Sequence, residues 1–334
     1  MGEFELIARY FTRVTPKAVL GVGDDCALLQ PAPGMQMAIS TDMLVAGRHF
    51  FADVNPRTLG HKALAVNLSD LAACGAQPLA FTLALSLPDA DDAWLEPFSQ
   101  GLLALADAHG CELIGGDTTR GPLNICITVF GEVPTGQALL RSGAAAGDDV
   151  YVSGTLGDAR LALEVLQGQR HLPDALMAAA RQRLETPTPR IALGIALRGI
   201  ASAAADISDG LLGDLGHILQ RSGAGATLYT ENAIKLLASC AYYTRASGQF
   251  EQDIGAPHAL QCVLNGGDDY ELVFTAPVHH RDAVQAASAA CATPVTRVGH
   301  IDAAPGVRLL DAHGMPMEPS QAAQLASFDH FSGA

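Results

Sequence analysis

Aspartate recurs in this chain beside glycine, serine, threonine or small apolar residues. The runs are Asp24 and Asp25 in G-V-G-D-D-C-A-L-L, Asp42 in I-S-T-D-M, Asp70 in N-L-S-D-L, Asp117 in G-G-D-T-T-R-G-P, Asp206 and Asp209 in D-I-S-D-G, and Asp268 and Asp269 in G-G-D-D-Y-E-L. Asp also outnumbers Glu, the reverse of what solvated helix faces favour, since Glu is the better helix former. Short carboxylates held close to the backbone suit hard cations, which take oxygen ligands, and a carboxylate among apolar neighbours is costly to leave unpaired. Any one run could be an ordinary turn or cap; all of them together point to a multi-metal site. In G-G-D-T-T the glycines remove side chains where a backbone approaches a ligand, and their N–H groups can face phosphate oxygens.

Several familiar phosphate signatures are absent. No Gly-Lys dipeptide occurs, so there is no Walker A loop, and no G-x-G-x-x-G opens a helix after a strand. His280, Arg281 and Asp282 imitate a protein-kinase catalytic loop, but the required Asn and a D-F-G are missing, and the tripeptide reads as a helix start. D-I-S-D-G lacks the spacing and the twelfth-position Glu of an EF-hand. Bound phosphates would then be neutralised mainly by metals, with Arg120 and Arg141, each in a Gly-bounded turn, as either bidentate clamps or surface residues. His49 and His61 read as ordinary histidines on spacing alone, and Cys26 as a packed thiol.

The elements that must position these residues alternate loosely. The pattern predicts an amphipathic helix over Glu3 to Thr12 with Phe4, Ile7, Ala8 and Phe11 on one side, and a strand from Met35 to Asp42 whose end presents Ser40, Thr41 and Asp42. A helix starts at Asn55 and Pro56 and closes at Gly75, placing Asn67 and Asp70 side by side. Strands are predicted at Phe81 to Leu87, Cys111 to Ile114 (running into the G-G-D loop), Asn124 to Val133, Val150 to Ser153 and Gln261 to Leu264, the last continuing through G-G-D-D-Y-E-L-V-F-T. Helices are predicted at Asp92 to His109, Ala159 to Leu166 and Ile191 to Ile200. Composition turns to Gly, Ala and Ser between Pro134 and Asp149, the best candidate for a domain boundary. Strands and helices without strict alternation predict an α+β or mixed α/β fold.

With 334 residues the chain has room for two domains, and 49% apolar against 16% charged residues argues for packed cores. Its net charge is −15 and Lys17, Lys62 and Lys235 are its only lysines. Such a surface repels nucleic acid and anionic lipid, so the expected partners are small molecules and cations. Seven scattered cysteines without a C-x-x-C pair predict reduced, mostly buried thiols. The first residues carry no basic n-region and apolar core, and no apolar run is long enough to span a membrane, so a cytoplasmic protein is expected.

In this order the runs G-V-G-D-D-C-A-L-L, A-I-S-T-D-M-L-V-A-G-R-H-F, K-A-L-A-V-N-L-S-D-L-A-A-C-G-A, L-I-G-G-D-T-T-R-G-P, D-I-S-D-G-L-L-G-D-L-G-H-I, G-G-D-D-Y-E-L and the terminal F-D-H-F resemble the thiamine-monophosphate kinase family. That family lies in the superfamily of aminoimidazole ribonucleotide synthetase and selenophosphate synthetase, and the resemblance spans Glu3 to Phe331. It implies ATP-dependent phosphorylation of thiamine monophosphate to thiamine diphosphate by direct in-line transfer, with several Mg²⁺ ions. It also implies a two-domain architecture in which residues 1–138 bind ATP and metal and build a homodimer, while residues 139–334 form an α/β domain that closes over the substrate. Carried over by motif, Asp25, Ser40, Thr41, Asp42, Asp70, Asp117, Asp206 and Asp209 are the implied metal ligands, with Asp42, Asp117 and Asp209 at the chemistry. Gly116, Asp117, Arg141 and Ser208 are implied for ATP, and His49, Asp268 and Phe328 for thiamine monophosphate. The family commonly carries Glu where this chain has Asp268. The rival readings are an aminoimidazole ribonucleotide synthetase type of ligase, against which N-L-S-D-L-A-A and F-D-H-F argue, a metal-dependent phosphatase and a cation-binding module.

Overall fold

Two compact units make up this computed structural model, Met1–Leu71 with Ala76–Ala138 and Ala72–Gly75 with Leu139–Ala334. It describes residues 2–238, 250 and 253–317.

The first unit opens with α1 (Glu3–Leu6), which continues as a π-helical turn over Ile7–Phe11. Leu6, Tyr10 and Phe11 are the buried side, and Phe4 is exposed rather than packed. Four strands follow, β1 (Met35–Val45), β2 (Gln77–Leu87), β3 (Glu112–Arg120) and β4 (Asn124–Pro134), in the order β1-β4-β2-β3. All neighbours are antiparallel except β2 and β3. Helices α2 (Pro56–Ala73) and α3 (Asp92–His109) connect them. The start of α2 is fixed by Asn55, whose Oδ1 accepts from Arg57 N at 2.9 Å, and its end by Gly75 at φ 66° with Ala76 N donating back to Leu71 O. This is the Asn-cap and Gly-stop grammar of a helix. α2 is buried on nearly every side from Leu59 to Ala72. It crosses α3 where Gly60 faces the Phe98 carbonyl and Gly101 faces that of Arg57, so closely that a Cβ at either glycine would collide with backbone.

Among the described residues the sheet is covered on one side only. Ile125, Ile127, Val129, Leu83 and Leu85 alternate inward, whereas Ile39 and Met43 on the opposite face are 61% and 52% exposed.

The second unit holds β5 (Asp149–Ser153), α4 (Asp158–Leu166), α5 (Asp174–Glu185), α6 (Ile191–Ala196), β6 (Ala203–Ile207), α7 (Leu211–Ser222), β7 (Gly225–Tyr229), α8 (Thr230–Ala233), α9 (Ala256–Asn265), β8 (Glu271–Ala276), α10 (Arg281–Ala290), β9 (Val295–Asp302) and β10 (Gly306–Leu310). Its sheet runs β10-β7-β9-β5-β8-β6, with β7 and β10 the parallel pair. The chain is thus mixed α/β, as its pattern indicated.

Several boundaries differ from expectation. β1 runs on to Val45, so Ser40, Thr41 and Asp42 lie inside a strand rather than at its end. β3 carries the G-G-D-T-T run to Arg120 instead of stopping before it, because pairing with β2 continues past a register shift at Phe81 and Thr82. Residues 261–264 are helical, not strand: Ala259, Cys262 and Val263 face inward at helical spacing behind Pro257. G-G-D-D-Y is a turn and β8 starts only at Glu271. Helix α6 ends at Ala196, short of Ile200. Cys26 is exposed rather than packed, and among the described cysteines only Cys111 and Cys262 are buried. Burial pushes the Cys111 thiol up to about 12.

Buried acids tie the second unit together. Asp149, 1% exposed, accepts from Arg281 Nε at 2.6 Å, Arg281 Nη2 at 2.9 Å and Arg297 Nη1 at 3.0 Å. The His-Arg-Asp tripeptide therefore supplies a clamp as well as a helix start. Glu271, 0% exposed, accepts from Ser153 Oγ at 2.6 Å, Arg183 Nη2 at 2.7 Å and both Nε and Nη2 of Arg190. Replacing one member of such a set leaves buried charge uncompensated. The variant Glu271→Ala is expected to lose about 3–5 kcal/mol of unfolding free energy, read from the shift of its urea midpoint at unchanged slope.

Candidate functional site

Period-two alternation puts Ser40 and Asp42 on the same, helix-covered side of β1 and Thr41 on the other. Across from them, Asn67 and Asp70 are one helical turn apart on α2. The two pairs meet: Ser40 Oγ donates to Asp70 Oδ2 at 2.5 Å, and the Asp42 amide donates to Asn67 Oδ1 at 3.0 Å. Asn67 is buried and its Nδ2 is spent on the Ala63 carbonyl at 3.0 Å, so its orientation is set by the helix. The result sets two aspartates and a serine on the facing sides of β1 and α2, positioned by secondary structure rather than by loops. Such a set suits a hard divalent cation and not a thiophilic one.

Among the described residues no third acid joins Asp42 and Asp70. Thr41 lies on the open face, 2.8 Å from Thr128 Oγ1. Asp117 stands in register with Ala84, which pairs with Cys126, which pairs with Met43, so it too is on the open face. Two strands separate it from β1, a distance of roughly 14 Å at the usual strand spacing. Gly116, at φ 151°, packs so tightly against the Leu83 carbonyl that no side chain fits, which fixes the backbone that presents Asp117. Asp25 is exposed on the irregular segment before β1, its amide bonded to Asp24 Oδ1 at 2.9 Å. His49 accepts from the Val45 amide through Nδ1 at 2.9 Å, so its neutral ring carries the proton on Nε2. Arg120 pairs with Asp89 at 3.4 Å, both well exposed, and behaves as a surface residue.

In the second unit, Asp206 is buried one residue before the end of β6, and the turn after that strand presents Ser208 and Asp209. That turn is shaped by Asp214, on the first turn of α7 and 2% exposed. Its Oδ2 accepts from the amides of Ser208 and Asp209, both at 3.0 Å. Burial pushes the Asp214 carboxyl up to about 7, against the pull of those two N–H groups and of the Arg141 charge. Arg141, Ser208 and Asp209 therefore share one neighbourhood. The turn before β8 is laced to the same place: Asp268 N donates to the Ser208 carbonyl and Tyr270 N to that of Ile207, both at 2.8 Å. Asp269, 1% exposed, receives the Gly157 amide on both oxygens at 3.0 and 3.1 Å, and burial raises its carboxyl well above the usual range. Phe328 lies outside the described residues.

Sequence reasoning did not assign roles to Asn67, Asp214 or Asp269. Signals for the first two were present, since Asn67 is three residues from Asp70 and Asp214 is an acid in the first turn of a helix that follows Gly210. Among the described residues, Glu164, His258 and Cys262 also bring three donor atoms within 4.8 Å. There the carboxylate is already paired with Arg160 at 3.0 Å and Arg170 at 3.3 Å. Although burial alone would raise it, the His258 and arginine contacts hold Glu164 down at about 2. That is an ion network between α4 and α9, not a cation site.

Comparison with known proteins adds to this geometry. The model of the AIR synthase related protein N-terminal domain matches residues 23–133 and that of its C-terminal domain residues 145–311. The chain is similar to thiamine-monophosphate kinase of Salmonella typhimurium, 48% identical over 306 residues that cover 90% of this chain and 91% of that one. Its fold is similar to the crystal structure of thiamine-monophosphate kinase from Stenotrophomonas maltophilia K279a, with a TM-score of 0.80, 45% identity and coverage of 92% and 94%. It is also similar to AaThiL complexed with AMPPCP and TMP, with a TM-score of 0.75, 30% identity and coverage of 90% and 89%.

The raised Asp214 carboxyl has a measurable sign. The native chain keeps that proton up to about 7 while the unfolded carboxyl releases it near 3.8, so in this window the native state binds more protons and stability falls as pH rises. In metal-free buffer the melting temperature is expected to decline over that interval. An Asp214→Asn variant, neutral throughout, is expected to lose this part of the decline.

Proposed function

We propose that this chain, which belongs to the AIR synthase related protein family and within it to the thiamine-monophosphate kinases, transfers the γ-phosphoryl group of ATP to thiamine monophosphate, forming ADP and thiamine diphosphate. The observation that carries the reading is the oxygen cluster of Ser40, Asp42, Asn67 and Asp70, found in a fold that in AaThiL is complexed with AMPPCP and TMP.

The acceptor is itself an ionised phosphate. One of its oxygens attacks the γ-phosphorus, the bond from that phosphorus to the β-bridging oxygen breaks, and ADP departs with the electron pair. No hydroxyl proton has to be removed, so the site needs no strong base; it needs to hold two anions in line. Mg²⁺ would be held in the first unit by Asp42, Asp70 and Ser40, and in the second, separately, by Asp206 and Asp209; ions so held would neutralise phosphate charge that otherwise keeps the reactants apart. The oxygen-only donor set fits that ion. Asn67 keeps Asp42 aimed by gripping its amide, and Asp214 does the same for Ser208 and Asp209. His49, its ring oriented by the Val45 amide on Nδ1, is the residue of this unit proposed to contact the acceptor's phosphate. Arg141 supplies a cation close to the turn that carries Ser208, in a chain with only three lysines.

The active form we propose is a homodimer built on the first unit. The open sheet face with Ile39 and Met43 exposed supports it, since apolar area of this kind marks an interface. So does the position of Asp117 on the far edge strand: a second copy can bring its Asp117 beside β1, which one chain cannot do. No helix among the described residues is long and apolar enough to cross a membrane. With the free cysteines of the described residues, this supports a cytoplasmic setting.

Incubation with ATP, Mg²⁺ and thiamine monophosphate is expected to yield ADP and thiamine diphosphate, while thiamine is not phosphorylated; inorganic phosphate as the main product would identify a phosphatase instead. Asp42→Asn is expected to cut turnover by orders of magnitude while the melting curve is preserved. Mixing Asp42→Asn chains with Asp117→Asn chains is expected to restore part of the activity, because exchange of subunits creates one intact site, whereas no recovery would place both residues in sites built by single chains.

A further inference from the structure

We infer that Tyr270 is the positioning residue of the acceptor site, its hydroxyl setting the direction in which Asp268 presents its carboxylate. This deepens the proposed function and rests on its assignment of Asp268 to thiamine monophosphate.

The backbone is the first observation. Asp268 and Tyr270 both adopt the left-handed region, at φ 60° and 51°, directly after Gly267 at 70°. Only Ala292 among the other described non-glycine residues does the same. A bulky aromatic residue in that region is an outlier, and such strain persists only where the surroundings over-determine it. Here they do. Asp268 N and Tyr270 N are each bonded at 2.8 Å to the turn that carries Ser208. Asp269 between them is buried, with both carboxylate oxygens on the Gly157 amide, and Glu271 immediately after is locked by Arg183 and Arg190.

The second observation is what the strain achieves. It leaves the Tyr270 hydroxyl donating to Asp268 Oδ1 at 3.0 Å, with both side chains half-buried. A hydrogen bond from a fixed aromatic arm bears directly on one oxygen of a short carboxylate and so helps to set the direction in which it points. The chemistry of the acceptor says why direction matters. A carboxylate without a metal between them repels the phosphate end of thiamine monophosphate, whereas it attracts the other end, the cationic, amino-bearing heterocycles, and that is the end the inference gives to Asp268. Recognition of N–H donors there depends on where the carboxylate oxygens point.

The test is steady-state kinetics of Tyr270→Phe in the full chain, with thermal melting as a fold control. The expected result is a rise of about tenfold in the KM for thiamine monophosphate, the size for losing one hydrogen bond to a charged group, with kcat, the KM for ATP and the melting temperature all close to those of the parent. Asp268→Ala, measured alongside, should raise the same KM at least as far, and the double variant should be no worse than Asp268→Ala alone. If Asp268→Ala raises that KM and Tyr270→Phe leaves it unchanged, or lowers kcat and melting temperature instead, the positioning role is overturned while the assignment of Asp268 stands. If Asp268→Ala itself leaves the KM unchanged, that assignment fails and the inference falls with it.

Discussion

A carboxylate taken out of water has to be met by donors, and in this chain the kind of donor decides what each acid is for. Glu271 and Asp149 are met by arginines, so their charge is cancelled and they serve as ties between strands and helices. Asp214 and Asp269 are met by backbone N–H groups, which shape a turn without bringing a counter-charge of their own. Asp42 and Asp70 are fixed through neighbours, an asparagine gripping the amide of one and a serine hydroxyl touching the carboxylate of the other. The division removes negative charge where a core is to be held and leaves it at the residues proposed to meet a cation.

The same constraint explains why the candidate ligands sit on regular structure. Aspartates on a flexible loop would repel one another and spread apart. Those on β1 and α2 are held in place by backbone hydrogen bonds already made for other reasons, so no ordering entropy has to be found when a ligand arrives. In the second unit two turns do this work, but they are tied to each other by the Asp268 and Tyr270 amides and to neighbouring elements by Asp214 and Asp269. Strained backbone at Asp268 and Tyr270 is the visible cost of that arrangement.

The one-sided sheet of the first unit carries a different consequence. Alternation along β1 sends Ser40 and Asp42 inward and Ile39, Thr41 and Met43 outward. The face of β1 opposite Ser40 and Asp42 thus exposes Ile39 and Met43, an apolar stripe of the kind that marks an interaction surface.

The acidic runs, the helices over Pro56–Ala73 and Asp92–His109 and the mixed α/β class were legible in the order of residues, because caps, stop glycines and the spacing of apolar residues act over a few positions. So was the pairing of Asn67 with Asp70, one turn apart. What the sequence could not carry was anything that depends on strands far apart in the chain. The separation of Asp117 from Asp42 follows from the order β1-β4-β2-β3. The extension of β1 and β3 through their polar runs follows from partners that go on offering hydrogen bonds. The helical state of residues 261–264 was open because a short apolar run fits either period. Motif chemistry is local and survives in the letters; which side of a sheet a carboxylate faces, and which amide it holds, is settled only when distant backbone groups find one another.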